Sequence, residues 1–256
     1  MSSWLPVAAA VLIWWLGTAI LLVLNRYGTR ISRASLLGCF TLSGVAVAGI
    51  EVSQAVATQA SAYVAFASAV LLWGCLELPH LLGVLTGPVR EACPAELTGW
   101  RRFRRAVGVG LYHDLLIIVV GLVLWYTLLD KPNPVAAWTF VTLWLMRWSA
   151  KLNLFLGMPN LDFDLVPEHM RYLASYMAKR AMNPLFPLSI LLGVAVIWLH
   201  LDGIALATPF ARTASLLLAT LTLLAVLEHL LMVLPLRDSA LWRWALPMEP
   251  GSSKLL

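Results

Sequence analysis

The sequence predicts an all-α polytopic membrane protein: a bundle of about seven transmembrane helices, with a further helix lying in the cytoplasmic interface. Three observations carry that prediction. Of 256 residues, 61% are hydrophobic and only 12% charged, where a soluble domain carries about a quarter charged residues. Apolar runs of roughly 20 residues recur along the whole length, each long enough to cross a hydrocarbon core of about 30 Å. The basic residues gather between alternate runs, as the positive-inside rule requires of a multi-pass protein. The runs are continuous and not period-two, which argues against a transmembrane barrel.

In chain order the spans fall at about 4–24, 36–57, 61–85, 107–129, 134–150, 184–200 and 211–234, within one membrane domain over residues 1–256. The first has no basic stretch before it and no small-residue cleavage site after it, so it reads as retained. The second carries Glu51 about 22 Å from its cytoplasmic end at 1.5 Å per residue, where it pairs with Arg212 or faces water. The third ends in Glu77-Leu-Pro-His80, and Pro79 lacks the backbone donor a straight helix needs there. The loop at about 86–106 opens on Gly87-Pro88 and closes on Trp100-Arg-Arg-Phe-Arg-Arg105, a basic–aromatic stretch suited to the headgroup layer. The fourth span holds His113-Asp114. After the fifth comes a loop at about 151–183, with an acidic turn at Asp162 and Asp164. Pro167 then opens the interfacial helix, about 168–182. Its Met170, Leu173, Ala174 and Met177 recur at helical spacing, against polar Arg171, Lys179 and Arg180. Pro184 and Pro187 begin the sixth span, and the seventh closes on Glu228-His229.

The net charge is +5. With seven crossings, all but Lys131 and Arg212 of the 18 basic residues lie on one side. The positive-inside rule then places the N-terminus in the periplasm and the C-terminus in the cytoplasm. The basic loops read as topology signals and anionic-lipid contacts, not as a nucleic-acid surface. Three cysteines, Cys39, Cys75 and Cys93, show no CxxC spacing and form no disulfide framework. They read as small packing residues. The twelve tryptophans fit aromatic belts at the span ends.

The chemistry concentrates in the histidines. Four of the five lie beside or one turn from an acid: Glu77 with His80, His113 with Asp114, Glu168 with His169, and Glu228 with His229. Ionisable residues are expensive in a bilayer and mark function there. Glu and His are also ligands of zinc and non-haem iron. Counting 1.5 Å per residue, His80 and His229 lie about 8 Å from the cytoplasmic ends of their spans, and His113 about 9 Å. Glu168 and His169 sit on a loop able to fold over that level. Glu77, His80, His113, Glu168, His169, Glu228 and His229 are therefore candidate ligands for iron, as a di-iron centre, or for zinc. Asp114 would orient an imidazole.

Glu77 and His80 share a helix face, as in the Glu-x-x-His motif of di-iron bundles, but those bundles use the motif twice. Glu228 and His229 are adjacent and diverge by about 100°. Several plainer roles stay open. Glu77, His80, Glu228 and His229 fit interhelical hydrogen bonding, and His113-Asp114 fits a buried pair. Glu168 fits a helix N-terminus, with His169 as an interfacial side chain. One histidine also suffices to ligate the magnesium or iron of a tetrapyrrole. No P-loop, GxSxG motif, dinucleotide fingerprint or inverted repeat appears, so no catalytic residue is assigned.

The stretches Lys151-Leu-Asn-Leu-Phe-Leu-Gly-Met-Pro-Asn160, Glu168-His-Met-Arg-Tyr-Leu-Ala-Ser-Tyr176 and Arg180-Ala-Met-Asn-Pro-Leu-Phe-Pro187 carry a family resemblance, with the Trp100-Arg-Arg-Phe103 loop. Together they resemble the PuhE-type photosynthetic complex assembly proteins of purple bacteria, over nearly the whole chain. The resemblance implies a protein of the bacterial inner (intracytoplasmic) membrane, needed to assemble the reaction centre and its light-harvesting ring. It implies reaction-centre or light-harvesting subunits, or bacteriochlorophyll, as partners, and it names no catalytic residue. The residues themselves support a second expectation: a membrane-embedded, di-iron-type oxidase or hydroxylase acting on a lipophilic pigment, quinone or carotenoid.

Overall fold

The computed structural model describes residues 4–26, 32–161, 166 and 168–235. It is an all-α membrane bundle of helices α1 (Trp4–Arg26), α2 (Ser32–Gln54), α3 (Gln59–Leu81), α4 (Gly99–Leu128), α5 (Val135–Leu156), α6 (Leu185–Leu201) and α7 (Pro209–Leu231). Five of them, α1 to α4 and α7, are long and apolar enough to cross a membrane. The sixth is apolar but shorter, at 17 residues, and α5 carries Arg147 and Lys151 within its 22 residues.

The central helix is α3, which packs on α1, α2, α4, α5 and α7. Its small residues permit this. Ala62, Ala65 and Ala69 are buried, and small side chains bring helices close where lipid supplies no hydrophobic drive between them. Gly49 of α2 faces Ser68 of α3 so closely that an added Cβ would lie 3.3 Å from the Ser68 Cβ and collide with its hydroxyl. Around α3 the core is large and apolar: Phe66, Ile117, Phe140, Leu217 and Leu221 are buried together, and the Trp73 ring meets Phe140 edge-on at 5.2 Å.

Asparagines stitch both ends of the bundle, several of the bonds satisfying backbone groups that helix termini leave open. At one end Asn133 donates to the carbonyls of Ser53 and Ser61, both at 3.0 Å, and accepts from the Val135 amide at 3.2 Å. At the arginine-rich end Asn183 donates to Asn153 (3.2 Å) and Gly157 (3.0 Å) and accepts from the Leu185 amide at 2.9 Å.

Three of the helix ends that differ from the apolar runs show a physical cause. Helix α3 stops at Leu81 instead of 85, because the chain reverses through Gly83 (φ 71°) and the Val84 and Leu85 amides return to the Pro79 carbonyl. Helix α4 begins at Gly99, before its apolar run, since Trp100–Arg105 is charged yet helical. Helix α5 continues to Leu156, which takes Lys151 inside it beside Arg147. The expected interfacial helix is a 3₁₀ helix, Glu168–Tyr176. Its Met170 and Tyr176 are buried in the protein, and the Tyr176 hydroxyl donates to the Glu91 carbonyl at 3.1 Å. Asp162, Asp164, Pro167, Arg30, Arg237, Arg243 and Lys254 lie outside the described residues.

Toward the opposite end of the bundle, Gln54 donates to Glu51, while Arg212 donates to the carbonyls of Ile204 (3.3 Å) and Ala205 (2.9 Å). Of the two partners expected for Glu51, Arg212 is thus occupied elsewhere.

Candidate functional site

Three helices bring six ionisable side chains together near the arginine-rich end. Helix α3 supplies Glu77 and His80, three residues apart and so on one face. Helix α4 supplies His113 and Asp114. Helix α5 supplies Arg147 and Lys151, four apart and again on one face. The Arg147 Nη1 lies 2.6 Å from Glu77 Oε2, and the Lys151 Nζ lies 2.5 Å from Asp114 Oδ1. Between the pairs sits the His113 ring, its Nε2 3.8 Å from Glu77 Oε1 and its Nδ1 3.5 Å from Asp114 Oδ1. His80 stacks on it, with ring centroids 4.2 Å apart and planes 24° from parallel. The Leu85 carbonyl, 3.0 Å from His80 Nδ1, fixes that nitrogen as a donor.

Its two histidines and Glu77 are buried, while Asp114, Arg147 and Lys151 are half-buried. His113 is 0% exposed, Glu77 5% and His80 7%. An isolated charge at such depth costs several kcal/mol, and a cation alongside, with further hydrogen bonds, offsets that cost. Here each carboxylate has its own cation. The hydrogen bonding is nonetheless incomplete: among the described residues, Glu77 Oε1, Thr86 Oγ1, Arg147 Nε and both ring nitrogens of His113 are buried without a hydrogen bond. Such atoms are rare in native interiors, and a catalytic role or a bound ion is among the reasons for them.

A re-entrant loop closes the site. The Thr86 carbonyl accepts from the backbone amides of Tyr112 and His113 at 3.0 and 3.2 Å, and the Val89 amide donates to the Gly108 carbonyl at 3.3 Å. The loop thus reaches into the hydrogen-bond ladder of α4 at the turn that carries His113. Only glycine fits at 87, since a Cβ there would strike the Gly108 carbonyl and the Leu111 amide.

The remaining predicted residues go elsewhere. His229 donates from Nδ1 to the Ala225 carbonyl at 2.8 Å and accepts at Nε2 from the Ser149 hydroxyl at 2.9 Å. His169 Nε2 approaches the Leu81 carbonyl at 2.9 Å, at the end of α3 and outside the cluster. Glu228 is exposed on α7, turned away from its neighbour. Glu168 opens the 3₁₀ helix, and its side chain lies outside the described residues. Glu77, His80, His113 and Asp114 therefore meet, while His169, Glu228 and His229 do not join them. Among the described residues, no three His, Cys, Asp or Glu groups are disposed to hold a metal.

Sequence reasoning missed Arg147, Lys151, Thr86 and Ser149. The two cations looked like topology charges because the apolar run ends near 150. Their i, i+4 spacing, matched against two acids expected at similar depth, was the signal available. Nothing in sequence marked Thr86 or Ser149.

These features define a class: a multi-pass α-helical membrane protein whose interior holds histidines between two cation-paired carboxylates. The chain belongs to the family described as "Protein of unknown function (DUF3623)", which matches residues 1–253. It is 37% identical, over 96% of this chain and 92% of the relative, to the "Uncharacterized 30.4 kDa protein in puhA 5'region" of Rhodobacter capsulatus. No solved structure matches the chain.

Proposed function

We propose that the protein is a membrane component of the photosynthetic apparatus, acting in assembly of the reaction centre and light-harvesting complex. The observation that carries this reading is the relative in the puhA 5' region, similar over nearly the full length of both chains. The sequence resemblance to PuhE-type assembly proteins supports it. On this reading the chain sits in the bacterial inner (intracytoplasmic) membrane, N-terminus periplasmic and C-terminus cytoplasmic, and its partners are reaction-centre or light-harvesting subunits or their bacteriochlorophyll. The test is deletion of the gene in a phototrophic host, followed by near-infrared absorption of isolated membranes. The expected result is a loss of assembled reaction-centre and light-harvesting bands, restored by the wild-type gene. Unchanged bands would end the proposal.

A second reading is a metal-dependent oxidase or hydroxylase acting on a lipophilic pigment, quinone or carotenoid. It is favoured by the buried nitrogens of His113 and the buried Glu77 Oε1 beside them, which make no hydrogen bond among the described residues. Glu77, His80 and His113, with Asp114, would hold iron or zinc, provided that Arg147 and Lys151 release the two carboxylates. The metal would supply Lewis acidity or oxygen activation. His169, Glu228 and His229 would have to swing inward to complete the ligand set first expected. Metal analysis and an absorption spectrum of detergent-purified protein, with His80→Ala as control, test it. Stoichiometric iron or zinc lost in the variant supports the reading. Bound bacteriochlorophyll without metal points back to pigment handling in assembly.

A further inference from the structure

The arginines at the start of α4 divide into two sets with different tasks. Arg102 and Arg105 turn into the protein. Arg102 donates to the Tyr176 carbonyl at 2.5 Å and lies 4.5 Å from the centre of the Phe155 ring, and Arg105 pairs with Glu91. Arg101 and Arg104 are exposed, and among the described residues they make no side-chain bond. Trp100, 67% exposed, stands one turn from Arg104, and Val107, 41% exposed, follows. The result is one outward stripe of an indole, two guanidinium groups and an apolar residue.

The geometry of α4 puts this stripe at the membrane surface. Thirty helical residues extend about 45 Å at 1.5 Å each, against a hydrocarbon core of about 30 Å. Roughly ten residues therefore project, and the apolar run from Val107 onward shows that the projecting part is at the Gly99 end. Trp100 is held in place: its ring stacks on Phe103 at 5.2 Å, which meets Phe155 edge-on at 5.5 Å. A packed tryptophan beside two exposed guanidiniums at the headgroup level has the composition of an interfacial anchor. Guanidinium also matches the geometry of phosphate, as a bidentate donor.

We infer that Trp100, Arg101 and Arg104 form a binding site for anionic phospholipid headgroups, with the two arginines on phosphate and the indole at the glycerol level. The inference is independent of the photosynthetic reading. Two arginines three apart on a helix stand about 5–6 Å from each other, so a single lipid with two phosphates, or two neighbouring lipids, would satisfy both.

The test uses the full chain purified in a mild neutral detergent. Bound lipid is counted by native mass spectrometry during titration with phosphatidylglycerol, a two-phosphate anionic lipid, or phosphatidylcholine. Both anionic lipids should bind in preference to phosphatidylcholine. The double variant R101Q/R104Q should weaken anionic binding by about 25-fold, the loss expected for two surface arginines, with its detergent melting temperature unchanged. A two-phosphate lipid bound one per chain identifies the single-lipid arrangement, and two phosphatidylglycerols per chain the paired one. R102Q should do the reverse, lowering thermal stability while keeping lipid selectivity. Quenching by brominated phosphatidylglycerol that falls in Trp100→Phe would place the indole at the lipid. Equal affinity for anionic and zwitterionic lipid, or wild-type affinity in R101Q/R104Q, would overturn the inference. So would loss of an acidic protein partner from R101Q/R104Q with lipid binding intact.

Discussion

Two histidine sites share the arginine-rich half of this bundle and the same helix, α5, yet they differ in kind. At one, His113 lies between Glu77 and Asp114, each carboxylate held by a cation from α5. At the other, His229 uses both ring nitrogens in ordinary hydrogen bonds, to Ala225 and Ser149, and its neighbour Glu228 is exposed. In sequence the two looked alike, as acid–histidine pairs near one depth. The difference lies in what the facing helix offers: arginine and lysine to one, a serine to the other. A charge-paired site depends on every member. A hydrogen-bonded one loses a single bond when altered.

The comparison breaks most sharply at Arg147. Replacing it by leucine leaves Glu77 buried without its cation, which costs about 3–5 kcal/mol. Thermal unfolding in detergent should show a large fall, and Glu77→Gln in the same chain should recover most of it, because the uncompensated charge is then gone. A variant R147L as stable as wild type would mean that the pair contributes nothing. Gly87→Ala should rank next. The new Cβ meets backbone atoms of α4, not a flexible side chain, so the loop must lift from the His113 turn at about 1–3 kcal/mol. Faster amide hydrogen exchange at Tyr112 and His113, whose amides donate to the Thr86 carbonyl, is the signature to measure. Exchange confined elsewhere would show that the loop does not brace the site. Asp114→Asn tests the more open pair. Lys151 keeps 38% of its side chain exposed, so water can take over solvation of its amine, and the loss should be nearer 1 kcal/mol.

That ranking also explains what the sequence could reveal. The bundle was legible because apolar runs and one-sided basic charge are properties of whole segments, and they survive errors of several residues. Helix ends were not, because they turn on single residues: the Gly83 reversal stops α3, and the charged Trp100–Arg105 stretch is helical against its polarity. The site was half legible. Glu77 and His80 share a face by spacing alone, and depth brought His113 to them. Direction around each helix axis is not fixed by depth, so His229 faces Ser149 across the α5–α7 contact and never joins the cluster. Arg147 and Lys151 are visible as charges but read as topology signals, because their helix outruns its apolar stretch.

The smallest effect is expected at the hydrogen-bonded site, and it sharpens the contrast best. Ser149→Ala removes the donor to His229 Nε2. Interhelical hydrogen bonds inside membranes average about 0.6 kcal/mol, because the alternative states also find partners. Ser149→Ala should therefore lower stability by about that amount, and the double variant S149A/H229A should show a coupling energy of the same size. The pair Glu77 and Arg147, measured by an identical cycle, should couple several times more strongly. Equal couplings at the two sites would mean that the bundle treats an ion pair as one more hydrogen bond, and the functional reading of the charge cluster would lose its physical basis. Strong coupling between Ser149 and His229, exceeding that of the ion pair, would move attention to that site instead.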